Sequence, residues 1–150
     1  MNSNQNNRTG LLKTAGYMTV ALAVFQAVIS TVPSWAFYFG AGEEVTKRAW
    51  LLYTSGYSVA IMFFFFALYA FSAAGMIKPL KAMKPVLIMI SSIFLLRGLA
   101  LFAELLSNAG VIDLGGYVPV QAIISSIISL LFGIVYLAGI LIAWGSIPHK

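Results

Sequence analysis

Residues 85–106 read PVLIMISSIFLLRGLALFAELL, an apolar run interrupted by a single arginine, Arg97, with Glu104 near its close. About 20 residues of this kind, wound as a helix, cross a hydrocarbon core about 30 Å thick. Lipid offers no water to the backbone, so a segment that enters it closes its own hydrogen bonds as a helix. Pro85 suits a first helical turn, where its missing N–H has no partner to lose.

Three further stretches answer to the same criterion. Residues 14–32 stop at Pro33, residues 50–76 stop before Lys78-Pro79, and residues 119–144 begin on Pro119 and stop before Gly145. The expected fold is therefore all-α: a polytopic membrane protein, a four-transmembrane-helix bundle with short loops. Composition agrees, since 61% hydrophobic against 9% charged residues leaves too little polar surface to coat a soluble globule of 150 residues. Residues 1–13, with the polar start MNSNQNNRTG, are expected to be a disordered cytoplasmic tail, and residues 146–150 a second short one. The first apolar run exceeds the core of a cleavable leader, so it reads as a retained span.

Orientation follows from the basic residues, which stay in the cytoplasm. Arg8, Lys13, Lys78, Lys81, Lys84 and Lys150 fall on one side of this layout; Lys47 and Arg48, offset by Glu43 and Glu44, fall on the other. That places both termini on the cytoplasmic side of a bacterial-type inner membrane. Trp35, Tyr38, Trp50, Tyr53 and Tyr117 belong at the outer interface, where an amphipathic ring is half wetted. Residues 33–49 either continue the first span past a kink or form an interfacial helix. The net charge of +5 is dispersed between apolar runs, which argues against a nucleic-acid partner, and the three lysines of the second loop suit anionic lipid at the inner face.

Helices in lipid associate through small residues and interhelical hydrogen bonds. Gly16, Ala23 and Ala27 in the first span, Gly56 and Ala60 in the second, and Ser125, Ser129 and Gly133 in the fourth are spaced to form such faces. They make a homo-oligomer or a membrane-protein partner the expected mode of association. Phe63, Phe64, Phe65 and Phe66 circle the second span, so some of them face lipid.

Candidate binding or coupling residues are few. Arg97 lies roughly 18 Å along its span at about 1.5 Å per residue, just past the midplane. A guanidinium there costs on the order of 3 kcal/mol, so it should face inward and find an acceptor. Glu104, seven residues on and on the same helix face, is one candidate; Gln26, Tyr69 or a serine of the fourth span are others. Such a pair either fixes helix register or serves a path for protons, anions or a substrate. Gln26, a long amide expected near the middle of the bilayer, also needs a partner across a helix contact.

Chemistry that depends on cysteine is excluded, because there is none, and the sole histidine is His149. No cofactor and no metal are expected. Glu43, Glu44, Glu104 and Asp113 are the only carboxylates. They bring no metal or phosphate-binding motif with them, so an enzyme is the least favoured class. The stretch 67–106 resembles a pattern in small four-span bacterial inner-membrane proteins of uncharacterised function, carried by Leu68, Tyr69, Ser72, Ala74, Gly75, Leu95, Leu96, Arg97 and Gly98. That resemblance implies a single site containing Arg97, Tyr69 and Ser72. The functional expectation is a non-enzymatic accessory, scaffolding or immunity-type subunit, the alternative being an oligomeric transporter or channel that uses Arg97 and Glu104.

Overall fold

The computed structural model describes residues 3–113, 115 and 117–147, with side chains from residue 9 onward. The described residues form six helices: α1 (Ser3–Ile29), α2 (Pro33–Tyr38), α3 (Glu43–Lys47), α4 (Ala49–Ala73), α5 (Met83–Asn108) and α6 (Val120–Ala143). Four are long and apolar enough to span a membrane: Thr9–Ile29 within α1, and the whole of α4, α5 and α6. The protein is thus an all-helical chain with the architecture of a multi-pass membrane protein.

The first span departs from expectation at both ends. Residues 3–13, read as a disordered tail, extend the helix instead, because a nucleated helix adds turns at little cost and Leu12 has a place to pack. Its side chain is fully buried, with Cδ2 lying 3.0 Å from where a Cβ on Gly139 would stand. At the other end α1 stops at Ile29, not residue 32. Thr31 and Val32 take short i−3 bonds to Val28 and Ile29, and the residue before Pro33 is extended, as the proline ring requires. Residues 33–49 then form the two short helices α2 and α3, with no continuation of the span. Of the C-terminal tail, residues 148–150 lie outside the described residues.

The span from Trp50 ends at Ala73, short of Met76, because Gly75 turns left-handed at φ 74°. Gly75 N–H then bonds Ser72 O at 3.0 Å and Met76 N–H bonds Phe71 O at 2.9 Å, which satisfies carbonyls that the helix end would leave bare. Gly110 closes α5 in the same way. Asn108 brackets the loop beyond it, donating from Nδ2 to Val118 O at 2.9 Å and accepting Val118 N–H at Oδ1 at 2.8 Å.

Two antiparallel pairs build the bundle. α1 packs on α4, α5 packs on α6, and α1 also packs on α6, whereas α4 and α5 meet far less. Small residues make the seams. Gly56 faces Ser30 across α1/α4, and Gly16 faces Phe71. Across α5/α6 a Cβ on Gly98 would lie 2.5 Å from Leu130 Cα, and one on Gly133 would lie 2.7 Å from Leu95 Cγ. Ala23 and Ala60 are buried and Ala27 half-buried, as their spacing suggests. Ser125 and Ser129 are the exception: Ser125 is exposed and Ser129 half-buried, because α6 turns Ser126, not Ser125, toward α5.

The apolar core shared by all four spans lies toward the end that carries Lys78, Lys81 and Lys84, here called the basic end, while buried Ile29, Ala36 and Leu52 at the opposite end belong to the side of α1, α2 and α4. The shared core joins Leu12 and Ala15 of α1, Phe66 and Ala70 of α4, Leu87, Ile90 and Phe94 of α5, and Phe132, Tyr136 and Ile140 of α6. Phe94 stacks on Tyr136 with ring centroids 5.9 Å apart. Tyr136 OH shares a hydrogen bond with Thr19 Oγ1 at 2.9 Å and reaches Phe66 O at 3.3 Å, so one hydroxyl links three spans. Of the four phenylalanines, Phe66 is buried while Phe64 and Phe65 face outward. Toward the opposite, far end the two pairs share no such core.

The α5/α6 seam is close enough that backbone would have to move for any side chain at position 98. Gly98→Ala is expected to lower stability by about 1–3 kcal/mol. Gly10→Ala is expected to be neutral or mildly stabilising, since a Cβ there meets nothing within 4 Å. Thermal unfolding of both variants in detergent checks the pair.

Candidate functional site

Helical geometry puts Met83, Leu87, Ile90, Phe94, Arg97, Leu101 and Glu104 on one stripe of α5, at alternating four- and three-residue steps. Its first four members are buried in the core at the basic end. Arg97 and Glu104 therefore continue that stripe into the half of the bundle that the shared apolar core does not reach. Glu104 keeps the inward direction expected of a charge at depth, whereas Arg97, expected to face inward, is exposed and reaches in to its acceptors at the seam.

Arg97 Nη1 donates to Glu104 Oε1 at 3.0 Å and to Ser126 Oγ at 2.5 Å. Ser126 in turn donates to Glu104 Oε2 at 2.6 Å. The three side chains close a ring across the α5/α6 seam, in which the serine hydroxyl uses its one proton on the carboxylate and a lone pair on the guanidinium. Glu104 is nearly covered, with 11% of its side chain exposed, and Ser126 is fully buried. Arg97 is not: 42% of its side chain is open. Only Nη1 is engaged within the described residues, and the Nε and Nη2 N–H groups have no acceptor there.

Ser126 escapes a reading of small-residue periodicity because Ser125, Ser129 and Gly133 form the more regular stripe one position away. The signal that locates it is hairpin register. In an antiparallel pair, contacts between Leu95 and Gly133 and between Gly98 and Leu130 carry outward to place Glu104 opposite residues 124–126.

The other candidates lie apart from this ring. Ser72 accepts Leu80 N–H at 2.9 Å and donates to Lys78 O at 3.0 Å, bracing the basic loop. Tyr69 is half-buried against the core. Gln26, expected near the middle of the bilayer with a partner on another helix, lies instead in the last turn of α1, where it reaches Ser30 Oγ four residues on at 3.5 Å and lines a cleft between α1 and α6. The implied grouping of Arg97, Tyr69 and Ser72 thus does not form: Ser72 serves the loop and Arg97 serves the helix seam. At the basic end, Lys84 is buried with its Nζ 4.5 Å from the Trp144 ring centroid, while Lys78 and Lys81 are exposed.

Chemically, the ring is a charge pair with its hydroxyl sealed. A serine bonded to a carboxylate could suggest an activated nucleophile, but no substrate atom reaches a hydroxyl with 0% exposure whose lone pair faces a guanidinium. Among the described residues no three His, Cys, Asp or Glu side chains come together to hold a metal ion. Comparison with protein-family models, with curated proteins and with solved structures returned no match.

Removing one member strands the others. Arg97→Leu is expected to cost about 2–3 kcal/mol, below the ~3–5 kcal/mol typical of a fully buried pair, because the guanidinium is partly open. Arg97→Leu combined with Glu104→Leu should recover most of that loss. A double-mutant cycle of unfolding in detergent measures it; additive losses would show the two side chains to be uncoupled.

Proposed function

We propose that the protein is a non-enzymatic subunit of a bacterial inner membrane, of the accessory, scaffolding or immunity type, that acts through helix contacts with a partner chain. Carrying this reading is the open edge of Arg97. Its stripe faces inward, yet the bundle leaves the Nε and Nη2 donors without acceptors at a depth where water is scarce. A partner helix bearing a carboxylate, amide or hydroxyl at that level completes the set.

The small-residue seams give indirect support. Gly16, Gly56, Gly98, Gly133 and Gly139 all meet side chains of this same chain, so their close approach is used within the bundle and is not left for a second copy. A two-fold dimer on the Arg97 face would also set like charges against each other at equal depth. A chain of different sequence avoids that repulsion.

In this reading both termini are cytoplasmic, with Lys78 and Lys81 against anionic lipid at the inner face. The far-end cations fit the assignment: Lys47 Nζ pairs with Glu43 at 2.7 Å and Arg48 with Glu44 at 3.7 Å, which reduces the positive charge there. A channel within one copy is disfavoured, because Phe66, Phe94 and Tyr136 fill the bundle centre. The transporter alternative therefore requires a path between copies.

Extraction in mild detergent followed by intact-mass measurement tests the reading. The expected result is a foreign subunit in fixed ratio, lost when Arg97 and Glu104 are both leucine although the chain stays folded. A chain that carries only lipid, or only further copies of itself, overturns it. Proteoliposome flux abolished by Arg97→Ala would assign transport instead.

A further inference from the structure

α1 and α6 touch near the basic end, at Leu12 against Gly139 and at Thr19 against Tyr136, and stand apart farther along. The gap between them is a cleft of about 210 Å³. Its apolar wall includes Leu22, Phe25, Phe63, Phe94 and Ile128. Gln26, Gln121, Ser125 and Ser129 supply its polar groups, and none of the lining residues is ionisable.

Three of those polar side chains lack a good partner. Those of Gln121 and Ser125 have no hydrogen-bond partner among the described residues, and that of Gln26 makes only the 3.5 Å contact to Ser30, whereas Ser129 Oγ donates to Ser125 O at 2.8 Å. Gln26 lies in the last turn of α1 and Gln121 in the first turn of α6, so both amides stand near the far-end surface. Phe63 and Phe94, from the middle of their helices, line the cleft deeper in. Phe39, which follows α2, packs edge-on against Phe25 with centroids 5.1 Å apart and roofs the opening. A neighbouring cavity of similar size beneath α2 shares Gln26, Ile29 and Phe39 with the cleft.

We infer that this cleft binds an uncharged amphiphile from the membrane leaflet at the far end, with its hydroxyl or carbonyl head on Gln26 and Gln121 and its single apolar chain against Phe63 and Phe94. The absence of ionisable lining groups selects a neutral head, since a buried charge without a counter-charge is heavily penalised. Size selects the occupant too. A cavity of ~150 Å³ admits a benzene ring, so 210 Å³ suits part of an acyl or prenyl chain; a helix about 10 Å across does not fit. The amides and serines turn that chain head-outward, in the direction of a lipid in the same leaflet.

Arg97 takes no part in this cleft lining, so the site stands independently of the partner contact proposed above. The test uses the full chain in phosphatidylcholine nanodiscs, titrated with a monoacylglycerol and followed by native mass spectrometry. Oleate and lysophosphatidylglycerol serve as charged comparators. One monoacylglycerol retained per chain is expected, with at least tenfold weaker binding in Gln26→Leu/Gln121→Leu and none in Ser129→Phe, whose ring fills the space. Both variants should keep the parent unfolding temperature and the partner subunit. If Ser129→Phe fails to fold, the glutamine variant decides alone. No retained monoacylglycerol, equal retention of the charged comparators, or undiminished binding in the folded variants overturns the proposal.

Discussion

A guanidinium within a membrane span must be given acceptors, and the far half of this bundle is organised around giving them to Arg97. Glu104 stands on the same face of α5, and Ser126 of α6 closes the ring. Burying apolar groups brings little gain where the solvent is itself apolar, so hydrogen bonds and close packing decide which helices adhere. The ring locks α5 to α6 where Phe94, Phe132 and Tyr136 no longer help. It forms in this register alone, as do the approaches of Gly98 to Leu130 and Gly133 to Leu95, since a shift of one residue would aim Ser125 or Ile127 at the carboxylate.

The bundle thus uses two kinds of adhesion at its two ends. At the basic end, interlocked rings and alanines join all four spans, and the Tyr136 hydroxyl ties α1, α4 and α6 to one point. At the far end the helices remain in pairs, each held by its own seam: Ser30 on Gly56 in one, the Arg97 ring in the other. The cleft between the pairs and the open edge of Arg97 both follow from that division. A structure closed along its whole length would have neither.

The spans were legible in the sequence because a hydrocarbon core imposes a length and an apolar content that few other settings demand. Their ends were less so: the left-handed Gly75, the extended residue before Pro33 and the docking of Leu12 are local or tertiary effects that hydropathy does not register. The Arg97–Glu104 pair was readable from spacing on one face. A serine of the fourth span was also readable as an acceptor for Arg97, but not that it would be Ser126, because two overlapping serine stripes on α6 differ only by which one the neighbouring helix meets. The grouping of Tyr69 and Ser72 with Arg97 failed for a related reason: nearness to a helix end drew Ser72 to its own loop, where bare backbone groups wait for partners. The cleft could not be foreseen from any single span, since it arises from how two pairs diverge.

Leu12 and Thr19 rest on Gly139 and Tyr136, which means that the first span depends on the last. A chain inserted span by span makes α5 and α6 as sequence neighbours able to pair at once, but before α6 arrives the pair of α1 and α4 has little beyond Phe94 of α5, against Phe63 and Phe66, to pack on. Closure of the core is accordingly a late, long-range event in biosynthesis, with more than a hundred residues between the surfaces it brings together. In the interval the buried face of the early pair is open to lipid or to whatever membrane chaperone attends it.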